Sequence, residues 1–206
     1  MDSVKIDGIE YDLTALEKDC WVRILNGSLQ YKNPLHNPVV ANVNEQGINM
    51  RTVVLRKVNI EKRQLFFHTD IRSGKWQEFK NNNSASWLFY HPSAMLQIRL
   101  SGIATLHQDD LFADEAWANT RMSGRKNYLG LSGPSSLSLV PTSGLLPKFD
   151  REDPTPEESK VGRKNFAIIS TQVQWMEWLW LNSGGHRRAT FQYEPDGKFS
   201  ANWLIP

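Results

Sequence analysis

The chain is 206 residues long and carries 24 basic against 22 acidic residues, a formal net charge of +2. A chain of that length buries roughly 70% of its unfolded surface, enough for one core without disulfides or metal, and its balanced charge leaves no general nucleic-acid footprint, only local basic clusters. Cys20 is the only cysteine, no apolar run approaches a membrane span, and the start MDSVKIDGIEYD has no apolar core of a signal peptide, so a soluble protein of the reducing cytoplasm is expected, without membrane or nucleic-acid partners.

Thr14, Ala15, Leu16 and Glu17 read as a capping box that opens a helix over residues 14–30. Leu16, Cys20, Ile24 and Leu25 recur on its face with Trp21 beside them, so Cys20 is expected to be inert packing. Two prolines between Tyr31 and Pro38 end the helix. Pro38–Val43 and Gly47–Val58 then read as a hairpin around Asn44–Gly47. A second hairpin overlaps it: Thr52, Val53, Val54, Leu55 and Val58 make a β-branched run, Asn59–Lys62 is a polar break, and Leu65–Thr69 is a second extended run.

Thr69, Asp70, Ser73, Gly74 and Lys75 lead into a predicted helix over Lys75–Asn81. Backbone N–H groups, hydroxyls and a lysine converge there, which favours an anion, and Arg51 on the neighbouring strand makes a phosphate the natural guest; the same residues serve equally as an ordinary N-cap.

Asn81–Asn83 is a turn signal, Trp87–Tyr90 is a strand stopped by His91 and Pro92, and Met95–His107 alternates, with Leu96, Ile98, Leu100 and Gly102 on one face and Gln97, Arg99 and Ser101 on the other. Asp109 or Asp110 caps a helix through Leu111, Phe112, Ala116 and Trp117, whose last turn runs into Arg121, Arg125 and Lys126. That basic cluster either complements the helix C-terminus or forms a second anion site. Residues 131–165, with Ser-Gly-Pro-Ser, Pro-Thr-Ser-Gly and the acidic REDPTPEESK, read as a loop insertion, either a mobile lid or a partly disordered surface segment. Four strands close the chain: Phe166–Val173, Trp175–Leu181, Arg188–Tyr193 and Phe199–Leu204, with Trp178 and Trp180 on one face and Glu177, Leu179 and Leu181 on the other. The eight tryptophans either pack the core or wall a planar ligand.

The pieces RTVVLRKV, FFHTDIRSGK, SWLFYHP and LQIRLSG, in this order and spacing, resemble the FMN-binding core of the pyridoxamine 5′-phosphate oxidase family, well over residues 37–135 and more weakly over 173–206. The resemblance implies one FMN-binding domain over residues 1–206, mainly β with flanking helices (α+β), folded as an antiparallel Greek-key split β-barrel. It implies FMN held by Arg51, Thr52, Val53, Val54, Arg56, His68, Thr69, Ser73, Lys75, Gln97 and Ser135. A small anionic substrate falls, by the same resemblance, to Arg56, Trp117, Arg121, Arg125, His186 and Arg188. No protein group is then expected to be catalytic and no metal is needed, because the flavin itself accepts a hydride from a carbon beside an amine or alcohol. A homodimer with FMN at the interface is implied as well.

Several family positions are changed. Gly74 stands at a loop arginine, Arg56 at a strand lysine, Arg125 at a serine, Pro134 at a glutamine, Leu179 at a tryptophan and Thr190 at an arginine. Three functions stay open to such a chain: an FMN-dependent oxidoreductase, a flavin-binding carrier or sensor without turnover, and a barrel that has lost flavin and binds another planar anion. No Ser-His-Asp order, zinc spacing or Gly-rich nucleotide loop competes with them.

Overall fold

A computed structural model describes residues 3–206. Short strands β1 (Val4–Ile6) and β2 (Ile9–Tyr11) precede helix α1 (Leu13–Leu29), and a 3-10 turn over Pro34–His36 leads to β3 (Val39–Asn44), β4 (Gly47–Thr52), β5 (Lys57–Asn59) and β6 (Gln64–Asp70). Next come α2 (Gly74–Asn81), β7 (Ser84–His91), β8 (Leu96–His107), α3 (Leu111–Asn119) and α4 (Met122–Arg125). The chain ends with α5 (Pro156–Ser159), β9 (Phe166–Trp180), β10 (Arg187–Tyr193) and β11 (Phe199–Leu204). Two units share these elements: the first takes the chain up to Phe67, Asn82–Thr105 and Ser170–Pro206, the second His68–Asn81 and Leu106–Ile169.

β1 and β2 pair as a hairpin, and the other nine strands form one sheet in the order β11-β10-β9-β8-β7-β3-β4, with β5 on β6 and β6 on β9. In the first unit, α1 opens on Asp12, whose carboxylate accepts the Ala15 amide at 2.7 Å, so the expected cap at Thr14 lies already inside the helix. The chain leaves the β1–β2 hairpin extended, and Asp12, a strong capping residue in that conformation, is the first to meet the helix. Leu16, Cys20, Trp21 and Ile24 are buried as their spacing predicts, and the Trp21 indole donates to the Tyr193 hydroxyl at 2.9 Å.

The strand predicted over Gly47–Val58 is broken. Its ladder with β3 ends at Val39 and Thr52, after which Val53 and Leu55 donate to the carbonyls of Pro38 at 3.0 Å and His36 at 2.9 Å. Pro38 has no N–H to return, so the ladder cannot continue past it. The Arg56 amide then reaches the Phe66 carbonyl at 2.9 Å, which brings the chain onto β6. β8 keeps its predicted alternation, with Leu96, Ile98, Leu100 and Gly102 buried. The two strands predicted over Phe166–Val173 and Trp175–Leu181 are one, since no glycine or proline interrupts β9.

In the second unit, Asp110 caps α3 by accepting the Ala113 amide at 2.8 Å, and Thr120 ends it, its hydroxyl donating to the Ala116 carbonyl at 2.7 Å. Arg121, Arg125 and Lys126, expected on the last turn of α3, therefore lie beyond it, on α4 and the turns flanking it. The rings of Trp117, Tyr128 and Phe166 pack with centroids 5.0 to 5.8 Å apart and form the core of this unit. Residues 131–165, expected as a lid or a disordered insertion, are ordered from Pro147 onward by 3-10 turns over Pro147–Asp150 and Lys160–Asn165 with α5 between them. α5 carries a full capping box: the Thr155 amide donates to Glu158 Oε2 at 2.9 Å and the Glu158 amide to Thr155 Oγ1 at 3.2 Å. Of the eight tryptophans, Trp21, Trp76, Trp87, Trp117 and Trp178 are buried, so packing accounts for most of them.

Candidate functional site

β6 ends in His68, Thr69 and Asp70, and α2 begins at Gly74, so a tight turn separates strand from helix. The Asp70 carbonyl accepts the Ser73 amide at 3.0 Å and the Ser73 hydroxyl at 2.6 Å, and Thr69 Oγ1 lies 3.2 Å from Ser73 Oγ. Thr69 and Ser73 are buried at the head of α2, with Lys75 half-buried on its first turn. Two hydroxyls, the amides of a helix's first turn and a lysine are the donor chemistry a phosphate takes, so these residues fit the phosphate end of FMN. The ring of His68 packs edge-on against Phe166 at 4.8 Å. Ser135 is exposed in the loop after Gly130, with its backbone at a left-handed φ of 69°.

Two partners in this turn were not anticipated. Asp70 is buried, and Arg72 closes on its carboxylate, with Nε 3.0 Å from Oδ1 and Nη2 2.7 Å from Oδ2. Arg72 Nη1 also donates to the Gly130 carbonyl at 2.8 Å. The available signal was the pair of opposite charges two residues apart within a turn.

In the first unit, Arg51 stands on β4 opposite Val40, and its guanidinium donates to the Asn42 side chain and, at 3.1 Å, to the Asn49 carbonyl. Thr52 and Arg56 are exposed, Val53 is buried and Val54 is half-buried. Gln97 is half-buried on the face of β8 that also carries Arg99. There a single buried carboxylate collects two arginines: Glu177 of β9 accepts from Arg99 at 3.1 Å on one oxygen and from Arg188 of β10 at 2.5 Å on the other. Arg188 Nε is buried without an acceptor, and His186 is exposed in the turn before β10. Glu177 was legible only as a residue alternating with two tryptophans.

Two residues expected at a substrate take structural places. Trp117 is 8% exposed within the aromatic core of the second unit. Arg125 donates to the carbonyls of Trp117, Thr120 and Ala118 at 3.1, 3.0 and 2.9 Å and to the Ser159 hydroxyl at 3.3 Å, with its cation 4.9 Å from the Trp117 ring centre. That is a cap on the C-terminus of α3, which removes the charge from ready use. Arg121 is exposed just before α4. Burial pushes the Cys20 thiol well up from its ordinary pKa, which keeps it unreactive. Among the described residues, no three His, Cys, Asp or Glu side chains group as metal ligands do, and no helix is long and apolar enough to cross a membrane.

Residues 18–108 match the family described as pyridoxamine 5′-phosphate oxidase, FMN-binding domain. A pyridoxine/pyridoxamine 5′-phosphate oxidase of Psychrobacter cryohalolentis is 25% identical over 169 residues, 77% of this chain and 73% of that protein. Among solved structures, a pyridoxamine 5′-phosphate oxidase-related, FMN binding protein of Nostoc punctiforme superposes with a TM-score of 0.73 at 20% identity, covering 92% of this chain and 97% of that one. PhzG of Burkholderia lata, solved with tetrahydrophenazine-1-carboxylic acid, superposes with a TM-score of 0.67 at 16% identity, covering 94% and 92%. These likenesses identify the fold as the split barrel of the oxidases, mainly antiparallel β with helices.

Proposed function

Because the chain is a distant member of the pyridoxamine 5′-phosphate oxidase FMN-binding domain family, we propose that it binds FMN and works as an FMN-dependent oxidoreductase on a small anionic substrate. The observation that carries this is the Thr69–Ser73 hydroxyl pair, 3.2 Å apart and buried at the head of α2. Thr69, Ser73 and Lys75 would hold the phosphate, the Ser73 hydroxyl turning to it from the Asp70 carbonyl to which it donates. FMN, when bound, supplies the hydride acceptor. In the first unit, Gln97 offers a polar contact from its sheet face and Arg188, held by Glu177, a cation; in the second, the exposed Arg121 offers another.

A flavin-binding protein without turnover is the second reading. It is favoured by the burial of Trp117 and by the commitment of Arg125 to the end of α3. Either form is proposed to act as a homodimer in the cytoplasm. Val43 and Ile48, paired across the β3–β4 hairpin, share an exposed face with Met50, and Leu88 and Tyr90 are exposed on β7; a second copy would remove this apolar area from water.

The visible spectrum of the purified protein, with the released chromophore identified by mass, tests the cofactor. FMN is the expected chromophore, and a colourless protein that takes up no added FMN ends the proposal. Thr69→Ala with Ser73→Ala is expected to lower FMN retention in a protein that still folds. Anaerobic reduction of bound flavin by pyridoxamine phosphate or by a reduced nicotinamide supports the oxidoreductase; a flavin that neither reduces supports the carrier.

A further inference from the structure

We propose that Arg72 is a positioning residue for the phosphate: it neutralises the buried Asp70 carboxylate and fastens the loop that begins at Gly130, so that the Thr69 and Ser73 hydroxyls face an anion without a bare negative charge beside them. This rests on the FMN reading above and adds to it a residue outside the expected set.

Asp70 holds two opposed features. Its main-chain carbonyl accepts the Ser73 amide and hydroxyl and so closes the turn at the head of α2, while its side chain, 6% exposed, carries the charge a phosphate avoids. Both carboxylate oxygens are taken by Arg72: Oδ1 accepts its amide at 2.8 Å and its Nε at 3.0 Å, and Oδ2 accepts Nη2 at 2.7 Å. With Nη1 on the Gly130 carbonyl at 2.8 Å, three of the five guanidinium N–H groups of Arg72 are engaged, two of them on Asp70, and the arginine's charge is set against that carboxylate. The loop lies flat on the arginine stem. A β-carbon on Gly133 would stand 2.8 Å from Arg72 Cβ, a contact only glycine permits. Arg72, Gly130, Gly133, Ser135, Ser138 and Thr142 are among the residues bounding a half-open cavity of about 580 Å³. Two of the loop hydroxyls are spent within the loop, Ser136 donating to the Gly133 carbonyl at 2.8 Å and Ser138 to that of Val140 at 2.7 Å. The head of α2 is clear by contrast: a β-carbon on Gly74 meets only Glu78 Oε1, at 3.9 Å.

The test is a fluorescence titration of FMN and of riboflavin, which lacks the phosphate, into full-length wild type, Arg72→Ala and Asp70→Asn/Arg72→Ala, with circular dichroism melts as the check on folding. Wild type is expected to prefer FMN. Arg72→Ala should lose FMN affinity by about tenfold or more with riboflavin affinity unchanged, because an unpaired buried carboxylate opposes only the phosphate. The double variant has no such charge and should regain most of the FMN affinity. FMN and riboflavin falling together in Arg72→Ala, or a double variant no better than the single, overturns the proposal in favour of a purely structural arginine. If Arg72→Ala does not fold, the double variant decides: a retained FMN preference supports the assignment and a lost one overturns it. A wild type without preference for FMN removes the FMN reading and this inference together, whereas an FMN-preferring wild type with Arg72→Ala unchanged removes only the role of Arg72.

Discussion

A β-carbon on Gly102 would stand 2.0 Å from the carbonyl oxygen of Gln172. β8 and β9 approach there more closely than any side chain allows, next to a core in which the Trp87 indole donates to Thr171 at 3.1 Å. Gly102→Ala must therefore part the two backbones, and its expected cost is about 3 kcal/mol or more. Urea unfolding measures it. A loss below about 1 kcal/mol would mean that the strands separate there without harm.

Glu177 is 3% exposed and has Arg99 and Arg188 as its charged partners, one on each oxygen. Arg99 is half exposed, so Arg99→Met alone should cost less than about 1 kcal/mol. Replacing both arginines leaves a buried carboxylate unpaired and should cost about 3–5 kcal/mol, well above the sum of the single losses. Additive losses in denaturant unfolding would show that the carboxylate finds water instead.

Gly74 occupies open space at the head of α2, with a backbone that suits any residue. Gly74→Arg should therefore be accommodated and should add one charged donor beside Thr69 and Ser73. Such a bond is worth about 1.5–3 kcal/mol, which is roughly ten- to a hundredfold in FMN affinity. Riboflavin affinity should stay as it was. An unchanged FMN affinity would place the phosphate elsewhere.

The Glu158 carboxyl is drawn down from 4.5 to about 2, first by Lys148 and then by the Thr155 amide. A carboxyl lowered in the folded chain stabilises it above its unfolded pKa, and that contribution fades as the pH falls from 4.5 toward about 2. Amide protection over Thr155–Ser159 should accordingly weaken across that window, while the barrel strands keep theirs. Glu158→Gln should remove the pH dependence; a variant that keeps it points to another acid.

Features set by residues within a turn or two of each other could be read from the chain alone. The alternation of Leu96, Ile98, Leu100 and Gly102, the helix through Trp117 and the hydroxyl-bearing turn at Thr69–Ser73 are of this kind. Overlapping local signals were harder: Thr14 and Asp12 both have capping chemistry, and the β1–β2 hairpin decides between them. Contacts between distant residues left no trace. Arg72 meets a carbonyl 58 residues away and Arg99 a carboxylate 78 residues away, and no spacing encodes either. The direction taken by Trp117 and Arg125 belongs to the same class, because the aromatic core that claims the one and the helix end that claims the other include residues far along the chain.

The chain passes from one unit to the other at residues 67–68, 81–82, 105–106 and 169–170. Neither unit is therefore written in one uninterrupted length of gene. A stop codon after Ile169 would keep every residue of the second unit yet strip β10, β11 and most of β9 from the first. A cassette covering 68–169 would carry β7 away from β3 and β8 away from most of β9. Recombination between relatives at any single point inside the chain must mix parental residues in the first unit, because that unit has residues on both sides of every such point.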